Sequence, residues 1–140
     1  MTNRQLAEIM EDQTLLALGE DAPVQEACRC MWESRKGSVL VIDKDGQLIG
    51  IFTGRDAVRM LAEGRSVDAT PLAQAMTPNP VTVAPTARAI DALREMSDRG
   101  IRHLPVVENE TILGVVSRGD FKGMEIDRLD EDDHLMECLR

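Results

Sequence analysis

The chain repeats itself, and this repeat limits what its 140 residues can fold into more than any other feature. The segment Gly50-Ile-Phe-Thr-Gly-Arg-Asp56 returns as Gly114-Val-Val-Ser-Arg-Gly-Asp120, an offset of 64. Upstream, Val39-Leu-Val-Ile42 returns as Leu104-Pro-Val-Val107, and Ala27 with Met31 returns as Ala92 with Met96, at an offset of 65. The one-residue change falls between Ile42 and Gly50, where the first copy has Asp43-Lys-Asp-Gly46 and the second the shorter Glu108-Asn-Glu110. A hairpin loop is where duplicated folded units tolerate an insertion.

Each copy reads as the same order of elements, β-α-β-β-α. A short extended piece (Leu16 to Leu18; Val81 to Val83) leads into a turn, Asp21-Ala-Pro23 or Pro85-Thr86. A helix follows, with Val24, Ala27, Cys28 and Met31 on one apolar face, and Ile90, Leu93 and Met96 in the second copy. Two strands joined by a polar turn come next, Ser38 to Ile42 with Leu48 to Thr53, and His103 to Val107 with Ile112 to Ser117. A second helix closes each copy, from about Gly54 to Ala62 and from about Arg118 to Arg128. The fold class expected is α/β, in detail α+β. Residues 8–66 form the first repeat, 67–79 a linker, 80–130 the second repeat and 131–140 an acidic tail. About 60 residues bury too little surface to stand comfortably alone. The two repeats are therefore expected to pack about a pseudo-two-fold axis, with clefts between them.

Charge and composition exclude several function classes. Acids outnumber bases by 25 to 16, for a net charge of −9, and Glu125 to Glu137 alone holds seven acids and one base. An anionic chain with 2% aromatics lacks the basic field and the stacking platforms of a nucleic-acid binder. The longest apolar run, Val39 to Ile42, is too short to cross a bilayer, so no membrane partner is expected. The N-terminal Met-Thr-Asn-Arg-Gln-Leu-Ala-Glu has no apolar signal core, and the location expected is cytoplasmic. Three cysteines in such a chain read as reduced thiols, with Cys28 and Cys30 on different faces of one helix. His103 and His134 complete no zinc pattern with them, so no metal is expected. No nucleophile has a plausible base and there is no P-loop, so neither an enzyme nor catalytic residues are expected. Trp32, at the end of the first helix, reads as a packing or interface residue.

The pattern Gly-apolar-apolar-Thr/Ser-x-x-Asp, twice present after a strand and at a helix start, resembles that of tandem cystathionine-β-synthase (CBS) domains, the Bateman module. The resemblance covers about residues 8 to 130. It implies a compact regulatory pair that binds adenosine-containing ligands such as AMP, ADP, ATP, NAD or S-adenosylmethionine, needs no obligatory cofactor, and dimerises. On this reading the ligand meets ribose-binding Asp56 and Asp120 with Thr53 and Ser117, phosphate-binding Arg102, His103 and Arg118, and an adenosine pocket of Thr82, Ser38, Val39, Leu104 and Pro105. A carboxylate can accept two charge-assisted hydrogen bonds from a ribose diol. Spacing alone reads Thr53-x-x-Asp56 and Ser117-x-x-Asp120 as capping boxes instead, and the hydroxyls can serve both roles. The two copies are chemically unequal: Arg102 and His103 align with Gly37 and Ser38, and Thr82 with Ala17. With no effector domain alongside, ligand binding is expected to act in trans on a regulated protein. The alternative is a structural or oligomerisation module whose motifs are helix caps. Dimer contacts are expected from Val58, Met60, Leu61, Phe121 and Met124.

Overall fold

The structure is a computed structural model and describes residues 4–10 and 15–121. In chain order its elements are α1 (Leu6–Ile9), β1 (Ala17–Gly19), α2 (Val24–Ser34), β2 (Ser38–Ile42), β3 (Leu48–Thr53) and α3 (Gly54–Glu63). A 3-10 turn at Leu72–Gln74 and β4 (Thr77–Pro78) precede α4 (Ala89–Arg99), β5 (His103–Glu108), β6 (Thr111–Ser117) and a second 3-10 turn at Arg118–Asp120. Packing divides the chain into two units. The first unit is Leu15–Pro80, and the second joins the N-terminal residues to those after Pro80.

The first unit follows the expected order. Its sheet runs β1-β2-β3-β4, with β1 parallel to β2 and the other pairs antiparallel. Val24, Ala27 and Met31 recur at helical spacing on α2 and bury that face, whereas Cys28 is only half-buried. They pack with Val39, Val41, Phe52, Met60, Leu72 and Ala75 into one core. The hairpin turn is closed by Asp43, whose Oδ1 accepts the N–H groups of Asp45 and Gln47, and by Gly46 at φ +79°.

The second unit shows what the same plan does with different residues. Its β5–β6 turn is the tighter one, with Asn109 and Glu110 both at positive φ, as a two-residue hairpin connection requires. The first extended piece is reduced to a single parallel bridge between Val83 and Val106. The cause lies in one residue. In the first unit the Leu40 N–H donates to the Leu16 carbonyl at 2.9 Å; the aligned residue in the second is Pro105, which has no N–H. Only the Val83 N–H to Pro105 carbonyl bond (3.0 Å) and the Val107 N–H to Val83 carbonyl bond (2.9 Å) remain. The α4 face of Ala89, Ile90, Ala92, Leu93 and Met96 packs with Leu104, Val106, Val116 and Phe121. Of the stretch read as the second closing helix, the structure describes the 3-10 turn at Arg118–Asp120 and Phe121. The rest of the predicted stretch to Arg128, with Met124 and the acidic tail, lies outside the described residues.

Each unit is completed by a segment that sequence order assigns elsewhere. In the second unit the Leu6 N–H donates to the Ala87 carbonyl (2.9 Å), the Ala7 N–H to Pro85 (3.0 Å), and the Ala89 N–H to Arg4 (2.7 Å). In the first, the Leu72 N–H donates to Ala22 (2.8 Å), the Ala73 N–H to Glu20 (2.9 Å), and the Val24 N–H to Thr70 (2.9 Å). The two sets match bond for bond, and Leu6-Ala-Glu-Ile-Met10 is a counterpart of Leu72-Ala-Gln-Ala-Met76. Leu6 and Leu72 are both fully buried. Residues 67–79 are therefore not a linker lying outside the folded units: Val67, Leu72, Ala75 and Met76 pack into the first unit's core. Residues 8–10, read as the start of the first repeat, belong with the second unit. Apolar side chains that would otherwise face water hold both segments in place.

Candidate functional site

The recurrent motif ends β3 in one unit and β6 in the other, and it occupies the same register in both. Ser38 pairs with Thr53 across β2–β3, and His103 with Ser117 across β5–β6. The turn out of each strand is tied back the same way: the Gly54 N–H donates to the Gly37 carbonyl (3.2 Å), and the Arg118 N–H to the Arg102 carbonyl (2.9 Å). Two things follow from this register. Residues 37–38 and 102–103 stand beside the motif, and the aspartate three places on reaches back to the hydroxyl residue.

In the first unit Thr53 and Asp56 form a complete capping box. The Thr53 N–H and Oγ1 donate to Asp56 Oδ2 at 2.9 and 3.2 Å, and the Asp56 N–H donates to Thr53 Oγ1 at 3.4 Å. Asp56 Oδ1 is engaged as well. It accepts from Thr77 Oγ1 at 3.4 Å and lies 3.6 Å from Arg59 Nη2, which also donates to the Ala75 carbonyl at 2.9 Å. Asp56 is 7% exposed. The motif glycine suits this arrangement: a Cβ at Gly50 would run into the Met76 side chain and come within 3.2 Å of the Thr77 carbonyl oxygen, so Met76 would have to move and β4 to shift slightly away from β3.

The second unit presents the same residues differently. The Ser117 N–H donates to Asp120 Oδ2 at 2.7 Å, and this is the aspartate side chain's one hydrogen bond among the described residues. Asp120 is exposed. Arg102 is exposed, Arg118 half-exposed, and His103 sits partly buried beside Ser117. Burial pushes the His103 imidazole below its usual range; Arg102 adds to this, and Asp120 opposes it. Arg4, which sequence reasoning missed, donates from Nη2 to the Asp120 carbonyl at 3.5 Å. Its signal in the sequence is its place two residues before Leu6, the counterpart of Thr70 before Leu72.

The remaining predicted residues fall into two groups. Thr82 is exposed. Val39 and Leu104 are fully buried core side chains, and Ser38 and Pro105 are also buried, so they offer little side-chain surface. Two of the expected dimer contacts are corrected by burial: Met60 is fully buried and Phe121 is 7% exposed, each within its own unit's core. Val58 and Leu61 are exposed, as is Trp32, at 86%. No helix of the described residues is long and apolar enough to cross a membrane.

Comparison with known proteins gives a consistent result. A CBS-domain protein of Arabidopsis thaliana, CBSCBSPB2, is 39% identical over 102 residues, covering 72% of this chain but only 19% of that relative. Among solved structures, a CBS domain protein of Pyrobaculum aerophilum complexed with AMP matches 91% of this chain and 99% of its own, with a TM-score of 0.81 at 24% identity. The CBS domain pair of protein MJ0100, in complex with 5′-methylthioadenosine and S-adenosyl-L-methionine, matches 93% of this chain and 98% of its own, with a TM-score of 0.77 at 21% identity. Residues 6–63 and 72–124 each match the family model described as the CBS domain. The chain belongs to the CBS-domain family, of which it carries two repeats in tandem with the mixed α+β fold of CBS pairs.

Proposed function

We propose that the chain is a regulatory module that senses an adenine nucleotide and binds it through the second copy of the motif. The observation that carries this reading is the convergence of Arg102, His103, Ser117, Arg118 and an exposed Asp120 at one end of the β5–β6 hairpin. A carboxylate offers roughly four acceptor positions, and the described residues fill one of those on Asp120. The rest suit a vicinal diol such as that of ribose. Arg102 and Arg118 supply planar forks for phosphate oxygens, and His103 donates a further bond when protonated. Thr82 lies exposed on the stretch before Val83 and offers a hydroxyl to the nucleoside. The AMP and S-adenosylmethionine complexes of the structural neighbours support the same ligand class. On this reading the chain is a binding module and not an enzyme. It acts in the cytoplasm on a regulated protein in trans, and its homodimer uses the exposed Val58 and Leu61 on α3.

The complete capping box at the buried Asp56 favours a second reading for the first copy alone, that of a structural cap. Melting curves with AMP, ATP, NAD and adenosine test the nucleotide reading. A ligand at a hundred times its dissociation constant adds about 2.7 kcal/mol of stability. For a chain of this size that raises Tm by several degrees. Unchanged Tm with every nucleotide at millimolar concentration would refute the proposal and leave the structural reading for both copies.

A further inference from the structure

We infer that Arg59 and Thr77 latch the first copy of the motif, so that Asp56 is occupied from within the chain and only the second copy accepts a ribose. The inference rests on the nucleotide reading above. Each Asp56 oxygen already faces two partners: the Thr53 N–H and Oγ1 on Oδ2, and Thr77 Oγ1 and the Arg59 guanidinium on Oδ1. Three hydrogen bonds fill most of the roughly four acceptor positions of a carboxylate, and the Arg59 ion pair stands against Oδ1 beside them. The side chain is 10% exposed, so a ribose diol would have to displace these partners instead of displacing water. The same Arg59 Nη2 donates to the Ala75 carbonyl, which fixes it beside Asp56, and Thr77 is placed by the β3–β4 pairing.

Neither partner has a counterpart in the second repeat. At the 64-residue offset of the motif, Arg59 aligns with Gly123, which carries no charge and no side chain. Thr77 follows Met76, and the residue that follows the equivalent Met10 is Glu11, a carboxylate that cannot donate to another carboxylate. The contrast between the copies is thus written in side-chain chemistry as well as in exposure. Arg59 and Thr77 set which motif is available and act through Asp56, so they are positioning residues.

The test counts nucleotides bound per chain by titration calorimetry with AMP, using the wild type, Asp120→Ala, Asp56→Ala and the double variant Arg59→Met, Thr77→Val. The double variant keeps the side-chain volumes and removes the donors, and far-UV circular dichroism with a melting curve establishes that it folds. The wild type should bind one AMP. Asp120→Ala should weaken it roughly ten- to a hundredfold, Asp56→Ala should leave it unchanged, and the folded double variant should bind two. Two AMP per wild-type chain, one of them lost in Asp56→Ala, would overturn the latch. So would a folded double variant that binds no more than the wild type. A wild type that binds none beside a double variant that binds one would sink the nucleotide reading of Asp120 while leaving the latch standing, so the two failures are distinguishable. Should the double variant not fold, the single variants Arg59→Met and Thr77→Val replace it, each removing one of the two partners on Oδ1; a second AMP bound by a folded single variant supports the latch, and no gain in either overturns it.

Discussion

Asp56 and Asp120 close the same motif, in the same register and after equivalent strands, yet their surroundings have little in common. Asp56 is buried, and both of its oxygens are engaged by Thr53, Thr77 and Arg59. Asp120 is exposed and holds one N–H, with His103, Arg102 and Arg118 in its neighbourhood. The difference teaches that a duplicated motif fixes a local geometry without fixing a use. The capping interaction is common to both copies because it needs only residues three apart. What the carboxylate does beyond that depends on which other segment reaches it.

The largest effect should come from removing the carboxylates and measuring stability. Asp56→Ala strips partners from the part-buried Thr53 amide, two hydroxyls and a guanidinium, and should cost about 2–4 kcal/mol in urea unfolding. Asp120→Ala removes an exposed cap and should cost no more than about 1 kcal/mol. Equal losses would break the comparison at its base.

Ligand affinity should show the opposite ranking. Asp120→Ala is expected to weaken AMP binding by about 1.5–3 kcal/mol, the value of a lost charged hydrogen-bond pair, while Asp56→Ala leaves it within error. Calorimetry on the two single variants sharpens the contrast into an assignment, and a loss confined to Asp56→Ala would reverse it.

A somewhat smaller effect belongs to the basic residues, which stand on one side only. AMP should bind better than adenosine by at least about 1.4 kcal/mol, a factor of ten. Arg102→Ala should erase most of that difference and leave adenosine unaffected. If wild-type affinities for the two were equal, Arg102 and His103 would be a surface turn and the second copy no better equipped than the first.

The smallest expected signal is electrostatic. The His103 pKa is lowered by burial first and by Arg102 second, so the folded chain holds less proton than the unfolded one just below the imidazole's ordinary value of about 6.5. Stability contributed by the neutral ring is then present above that value and is lost as pH falls through it toward the folded pKa. His103→Asn should flatten this limb of the stability profile. Because Asp120 opposes the depression, Asp120→Asn should drive the His103 titration lower still when followed by its ring proton resonance. A titration unmoved by Asp120→Asn would place the two groups too far apart to share a site.

Much of the fold was legible in the sequence because its signals are local. The α2 face of Val24, Ala27 and Met31 and the α4 face of Ile90, Leu93 and Met96 follow from helical spacing, and all six side chains are buried. The indel between the hairpins became a longer turn closed by Asp43 and a two-residue turn at Asn109 and Glu110. Both capping boxes were readable from their three-residue spacing. Pro105 was also in view, but its consequence was not. A missing N–H matters only when the strand beside it needs a donor, and here that strand shrinks to one bridge.

Less of the candidate site was legible. Arg59 lies three residues from Asp56 on the same helix and could have been proposed from spacing alone. Thr77 is 21 residues away, and Arg4 is 116 residues from Asp120, beyond the reach of any local pattern. The packing of residues 67–79 was out of reach for the same reason: prolines and threonines mark breaks in regular structure, but they do not say that Val67, Leu72, Ala75 and Met76 between them pack into a core.

By itself, then, the sequence determined the duplication, the order of elements in each copy, the buried helix faces and the reciprocal cap at each motif. All of these rest on periodicity or on hydrogen bonds that close within a few residues. Only the tertiary structure decided which segment completes which core, with Leu6 filling the second unit and Leu72 the first, and thereby which aspartate is enclosed. Burial of an apolar side chain is non-directional and is set by whichever core has room for it. Thr77 meets Asp56 because Leu72, Ala75 and Met76 hold the β4 segment against β3, and the same docking brings the Ala75 carbonyl to Arg59, which already stands beside Asp56 on α3.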